Sequence, residues 1–198
     1  MTLFVPRLRA KALANRLVVG PLARLLLALH ISPNALTLAG FAVTAVAAYL
    51  IGEAHLLAGG LVLLGGSAMD MLDGAVARLG NKATRFGAFL DSITDRLGEA
   101  AALFGLLVFY VRQDHELGAY LAFGAVVMSF MVSYLRARAE GLGVPGDVGL
   151  MGRPERVVVL VVGLVAGFPL YALGVVLTFA TVTVGQRIWH VYAAQDDS

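Results

Sequence analysis

Four aspartates are the residues of this chain best suited to chemistry. Asp70 and Asp73 form one pair and Asp91 and Asp95 another, both within or at the ends of long apolar runs. A charged side chain at a bilayer centre costs roughly 2.5 to 3.5 kcal/mol even on the mildest scale, so four uncompensated carboxylates would cost on the order of 10 kcal/mol. The first pair is spaced i,i+3 and the second i,i+4, so on helices each pair presents two carboxylates on one face. Four carboxylates that converge repel one another unless cations sit between them. An all-oxygen donor set suits hard ions such as Mg²⁺, Mn²⁺ or Ca²⁺, with no neighbouring thiolate or histidine to favour zinc or copper. Mg²⁺ ranks first because it keeps positions open for substrate phosphates. The same spacing also fits a carboxylate-lined proton or sodium pathway in an ion transporter, or structural pairing with Arg78, Arg85 and Arg96.

The elements that position these residues are set by composition. The 198 residues are 59% hydrophobic and only 14% charged, with a mean hydropathy of +0.83. A soluble globule carries roughly a quarter charged residues, so this chain lacks the surface that water demands. The absence of cysteine excludes disulfide scaffolds, thiolate zinc sites and cysteine nucleophiles. Apolar runs divided at polar or Gly/Pro punctuation give spans at 34–51, 56–77, 86–111, 117–137, 154–168 and 169–191. The alternative is five spans with a kinked last helix. The expected fold is an all-α integral membrane protein, six transmembrane helices preceded by an N-terminal juxtamembrane amphipathic helix.

Residues 1–31 form the interfacial segment, 32–191 the six-helix domain and 192–198 a C-terminal tail. In the first segment Leu3, Phe4, Leu8, Leu13, Leu17 and Val18 recur among Arg7, Arg9, Lys11 and Arg16, a pattern of a headgroup-plane helix, or else of a basic tail. Those basic residues also argue against a cleaved secretory signal. Thirteen of the fifteen Lys and Arg residues fall at the N-terminus, in the second-to-third and fourth-to-fifth connections, and at Arg187; only Arg112 lies on the opposite side, and Arg96 lies within a span. By the positive-inside rule both termini are cytoplasmic.

The residues between the aspartates narrow the chemistry. The stretch runs Asp70-Met-Leu-Asp73-Gly74-Ala-Val-Ala77-Arg78, then eight residues, then Gly87-Ala-Phe-Leu-Asp91-Ser-Ile-Thr-Asp95. Gly74 and Ala77 leave one helix face open to a ligand, and Arg78, two turns beyond Asp70, can reach a phosphate held there. This run resembles the signature of the CDP-alcohol phosphotransferase family, D-x2-D-G-x2-A-R-x8-G-x3-D-x3-D, at every fixed position and gap. The resemblance implies a six-helix membrane enzyme, usually a homodimer, that displaces CMP from a CDP-linked lipid with an alcohol. It implies two Mg²⁺ ions (Mn²⁺ as a substitute) held by Asp70, Asp73, Asp91 and Asp95, with Asp95 also the candidate base. It further implies CDP-diacylglycerol contacts from Asn34, Ala35, Leu36, Thr37, Asp70, Gly74, Ala77, Arg78, Thr84 and Gly87. Helix capping by Ser32 or Asn34 is the competing explanation for the Ser32–Thr37 run.

The acceptor would be read by the fourth-to-fifth connection. Ser133 and Arg136 share a helix face at i,i+3, and Arg153 and Arg156 repeat that spacing at a helix start, where an anion is favoured. These groups form either a pocket for a second phosphate or a cluster snorkelling to anionic headgroups. The run Ser133-Tyr-Leu-Arg136-Ala-Arg138-Ala-Glu140, followed by Arg153-Pro-Glu155-Arg156, resembles the bacterial phosphatidylinositol-phosphate synthase branch, departing from it at Arg136, where Lys is usual, and at Gly152, where an acid is usual. That likeness implies inositol 1-phosphate as acceptor, held by Ser133, Arg136, Arg153, Arg156 and Arg187, in a bacterial plasma membrane with the active site facing the cytoplasm. Membrane lipids are expected partners and nucleic acid is not. Glycerol 3-phosphate, in a phosphatidylglycerophosphate synthase, is the alternative acceptor.

Overall fold

The computed structural model describes residues 19–194. The expected headgroup-plane helix falls largely within residues 1–18 and most of the tail within 195–198, outside the described residues. Among the described residues the chain is all-helical: α1 (Gly20–Ala28), α2 (Pro33–Gly52), α3 (Leu56–Leu79), α4 (Arg85–Arg112), α5 (Glu116–Gly141), α6 (Arg153–Val165) and α7 (Pro169–Ala193). The last two are separate helices, not one kinked helix, because Gly167 takes φ +77° between them and Pro169 starts α7.

The helix ends follow one device. The N–H groups of Ile31, His55, Lys82, His115, Val144 and Phe168 each donate to the carbonyl five residues back, which needs a left-handed residue just before each of them. Two of these positions are glycine, Gly143 and Gly167, but the others are His30, Ala54, Asn81 and Asp114. Asn and Asp tolerate this conformation, whereas His and Ala adopt it at a cost. At the starts, the Ser32 Oγ accepts from the Ala35 N–H at 3.2 Å, and His115 Nδ1 accepts from the Gly118 N–H at 3.0 Å. Glu155 reaches back to the Gly152 N–H at 3.1 Å.

Among the described residues four helices, α2, α3, α5 and α7, are long and apolar enough to cross a membrane. α4 is longer, at 28 residues, but carries Asp91, Asp95, Arg96 and Glu99. α6, with 13 residues, rises only about 20 Å against a hydrocarbon core of about 30 Å. Large side chains such as Leu61, Phe104, Phe123, Val158 and Tyr171 face outward, an arrangement suited to lipid and not to water.

The chain forms two units, Met1–Ala42 with Gly65–Asp95, and Val43–Leu64 with Arg96–Ser198. The first has a small core of Ala23, Leu36, Ala75 and Val76, flanked by Leu26, Leu27 and Met69. The second is built on Ala47, Ile51, Leu63, Leu103, Leu106, Leu160, Leu164, Leu173 and Val176. Within the second unit Gly105 lies so close to the Ala48 carbonyl that a methyl group would not fit, the small-residue packing expected where lipid supplies no hydrophobic drive. Arg112 pairs with Glu53 at 2.7 Å.

Candidate active site

Six of the eight signature residues meet in the first unit. An open cavity of about 190 Å³ is lined by Asn34 and Thr37 from α2, by Asp73, Gly74, Ala77 and Arg78 from α3, and by Thr84, Gly87 and Asp91 around the start of α4. Pro33, Lys82, Ala83 and Ala88 complete the wall; of these, Lys82 is a second cation that the motif does not specify. Helical geometry accounts for the α3 set, since residues 73, 74, 77 and 78 fall along one face.

Each side chain is set by a local contact. Asp73 is buried, 4% exposed, and Thr37 donates its hydroxyl hydrogen to Asp73 Oδ2 at 2.5 Å. Arg78 folds back over Gly74, with Nη1 3.2 Å from where a glycine Cβ would stand; the bare glycine is what admits the guanidinium. Thr84 caps α4, its Oγ accepting from the Gly87 N–H at 2.9 Å. The opening turn of α4 thus forms part of the wall, and a helix N-terminus favours an anion. Asn34 Oδ1 lies 3.1 Å from where a Cβ of Gly87 would stand, so this glycine permits the close approach of α2 and α4.

Other residues expected at the site lie away from the cavity lining. Leu36, expected beside the nucleotide, packs in the core with Ala75 and Val76, because the α2 face that turns Thr37 to the cavity turns its predecessor inward. Ala35 is exposed, with its N–H used by Ser32, and neither it nor Asp70 and Asp95 lines the cavity. Asp70 instead lies over Gly40 of α2, with Oδ1 2.8 Å from where a Cβ would stand. Gly40 was not singled out by the sequence, where it reads as one more small residue in an apolar helix.

Among the described residues no group of three or more His, Asp or Glu side chains is gathered closely enough to hold a metal ion. Like charges repel, and here Asp73 turns to the Thr37 hydroxyl while Asp70 occupies the niche at Gly40. The donor chemistry nevertheless fits a hard divalent cation: oxygen ligands only, with Asp73 and Asp91 lining one open cavity, as a cation bound with a phosphate-bearing ligand requires.

The acceptor residues lie in the second unit, and two of them turn inward. Arg156 is fully buried, with Nε and Nη2 donating to Glu99 Oε1 and Oε2 at 2.5 and 2.7 Å. Arg187, 6% exposed, donates from Nε to the Val148 carbonyl at 2.8 Å and from Nη1 to the Val132 carbonyl. Both were expected to hold the acceptor's phosphate, and in the structure most of their donors are engaged within the protein. Arg136 is half exposed and pairs with Glu140 at 2.9 Å and Asp147 at 3.6 Å. Ser133 lines a small cavity with Arg96, Glu99 and Ser129. Glu99 had a sequence signal, an acid in an apolar run four residues after Asp95.

Comparison with known proteins agrees with the cavity. The family model for CDP-alcohol phosphatidyltransferases matches residues 30–187. A phosphatidylinositol phosphate synthase from Mycobacterium marinum is 37% identical over 89% of this chain and 80% of its own. An archaetidylinositol phosphate synthase from Pyrococcus horikoshii is 36% identical over 85% of this chain and 89% of its own. Among solved structures, Mycobacterium tuberculosis phosphatidylinositol phosphate synthase with CDP-DAG bound superposes with a TM-score of 0.81 at 31% identity, covering 88% of this chain and 94% of that one. The same enzyme in complex with manganese and citrate gives 0.81 over 88% and 89%. The matched model, the relatives and the cavity built from the signature residues place the chain in the CDP-alcohol phosphatidyltransferase family.

Proposed function

We propose that this membrane enzyme transfers a phosphatidyl group from CDP-diacylglycerol to inositol 1-phosphate, giving phosphatidylinositol phosphate and CMP. The observation that carries the reading is the cavity in which Asp73, Gly74, Arg78, Thr84 and Gly87 stand together, in a chain whose relatives are named for the phosphatidylinositol phosphate product. Arg78 and Lys82 supply positive charge for the diphosphate, and the N-terminal turn of α4 adds its partial charge.

In the reaction the inositol hydroxyl oxygen bonds to the phosphorus that carries diacylglycerol. The bond from that phosphorus to the bridging oxygen breaks and CMP leaves with the electron pair. Asp95 takes the hydroxyl proton. Asp70, Asp73, Asp91 and Asp95 would hold two Mg²⁺ ions, with Mn²⁺ as a substitute, which supply charge neutralisation at the diphosphate. Ser133, Arg136, Arg153, Arg156 and Arg187 would take the acceptor's phosphate. In this reading α4 and α6 complete six spans, the chain is a homodimer of a bacterial plasma membrane, and the active site and both termini are cytoplasmic.

Purified protein supplied with Mg²⁺, CDP-diacylglycerol and inositol 1-phosphate is expected to release CMP, and a chelator to stop it. Release with glycerol 3-phosphate but not with inositol 1-phosphate would overturn the acceptor assignment. No release with any phosphorylated alcohol would overturn the reaction.

A further inference from the structure

Arg156 and Glu99 are an unexpected pair for a helix bundle in lipid. Both are buried, 0% and 5% exposed, and they meet through two parallel hydrogen bonds at 2.5 and 2.7 Å. Burying two charges costs several kcal/mol per ion, which their attraction repays only when every remaining donor is satisfied, so a pair of well-packed apolar residues is often as stable or more so. Here the donors are not all satisfied: Arg156 Nη1 is buried without a partner. Ser129 Oγ is likewise buried and without a partner, and it lines the same small cavity as Glu99 and Ser133. As a stabilising device the pair is a poor choice, and it leaves a buried donor with no hydrogen-bond partner in the protein.

We infer that Glu99 is a positioning residue for acceptor recognition, fixing the Arg156 guanidinium through Nε and Nη2 so that Nη1 is kept for the acceptor's phosphate. This rests on the proposed transfer to a phosphorylated alcohol. The fork of a guanidinium can serve a carboxylate on one edge and a phosphate oxygen on its remaining nitrogen, which the point charge of a lysine cannot do. Nη1 is covered in the structure, so the phosphate reaches it only as its cover yields. Without Glu99 the guanidinium would then be free to turn, and its orientation would have to be bought from binding energy.

The test is the Glu99→Gln variant, which keeps the shape and removes the charge. It is purified alongside the unaltered enzyme and read in two ways: the KM values of both substrates, and the rise in unfolding temperature on adding inositol 1-phosphate without CDP-lipid. The expected result is an acceptor KM raised about tenfold or more, as for a lost hydrogen bond to a charged group, with the CDP-diacylglycerol KM unchanged and the thermal protection lost. Glu99→Asp should restore part of both. An unchanged acceptor KM in folded Glu99→Gln, or equal rises in both KM values, overturns the inference.

Should Glu99→Gln not fold, the double variant Glu99→Met with Arg156→Met is expected to unfold at or above the normal temperature and to show no protection by inositol 1-phosphate; protection retained overturns the inference. If the unaltered enzyme neither turns over nor is protected by inositol 1-phosphate, the proposed acceptor is wrong and inorganic phosphate becomes the probe. Protection by phosphate that Glu99→Gln abolishes then supports the role of Glu99, and protection absent from the unaltered enzyme or equal in both overturns it.

Discussion

Gly40→Ala separates the geometry of the aspartates from the stability of the fold. A Cβ at position 40 would stand 2.8 Å from Asp70 Oδ1, 3.3 Å from the Met69 Cβ and 3.4 Å from the Gly66 carbonyl. Ordinary contact begins at about 3.5 Å, so the carboxylate oxygen has to retreat by about 0.7 Å while the other two contacts give by a tenth or two. The end of a side chain yields cheaply, and alanine is favoured over glycine inside a helix by about 1 kcal/mol, so the unfolding midpoint should stay level or rise. Activity should not. A displacement approaching 1 Å in a reacting constellation costs up to a hundredfold, and 0.7 Å in one of four carboxylates is expected to lower kcat/KM for CMP release by about tenfold, or roughly 1.4 kcal/mol of transition-state stabilisation. The Mg²⁺ concentration for half-maximal rate should rise as well. The assay is CMP release over a Mg²⁺ series, with thermal unfolding in the same detergent. Full activity with an unchanged Mg²⁺ requirement would refute the placement of Asp70 in the active site through its niche at Gly40, and a loss of stability matching the loss of activity would show that Gly40 serves packing alone.

Three further outcomes are expected. Asp95→Asn should lower kcat for CMP release by about 10² to 10⁴, the range for a lost general base, with substrate KM values little changed; wild-type turnover would remove Asp95 from that role. Thr37→Val deletes the hydroxyl donating to Asp73 Oδ2 at 2.5 Å and leaves a buried acceptor unmet, which should cost about 1 to 3 kcal/mol in unfolding free energy and raise the Mg²⁺ requirement. Ala54→Gly relieves a residue at φ +65° and should raise stability by about 1 kcal/mol with activity unchanged; a lower midpoint would count against the left-handed closure of α2.

The helices were legible because their apolar runs are long and their ends are marked. The expected 34–51, 56–77, 86–111 and 169–191 lie within two residues of the observed bounds, and 117–137 and 154–168 within four. The larger differences are at the ends of α5 and α6, which stop at Gly141 and Val165 just before the left-handed Gly143 and Gly167, because the apolar run and the hydrogen-bonded helix do not end at the same residue. The D-x2-D-G-x2-A-R run was legible for a different reason: fixed helical spacing places Asp73, Gly74, Ala77 and Arg78 on one wall whatever surrounds them. What spacing does not carry is the partner from another helix. Gly40 has meaning only beside Asp70, thirty positions on, and Lys82 only because the loop before α4 returns it to the wall. The same gap explains Leu36, whose side of α2 is decided by the Ala75–Val76 face it packs on.

The inward turn of Arg156 and Arg187 bears on two readings that the sequence left open. A basic cluster that snorkels keeps its charged heads at the lipid headgroups and covers apolar surface with its stems. Arg136, with about half its side chain exposed, is compatible with that behaviour. Arg156 at 0% and Arg187 at 6% exposure are not; a guanidinium paired with a buried carboxylate, or donating to the Val148 and Val132 carbonyls, cannot reach a headgroup. Desolvating two arginines in this way is costly. The proposed recognition of a second phosphate would account for that burial: a guanidinium held rigid by Glu99 or by carbonyl oxygens loses little entropy when an anion arrives, whereas a snorkelling one would have to be ordered at that moment.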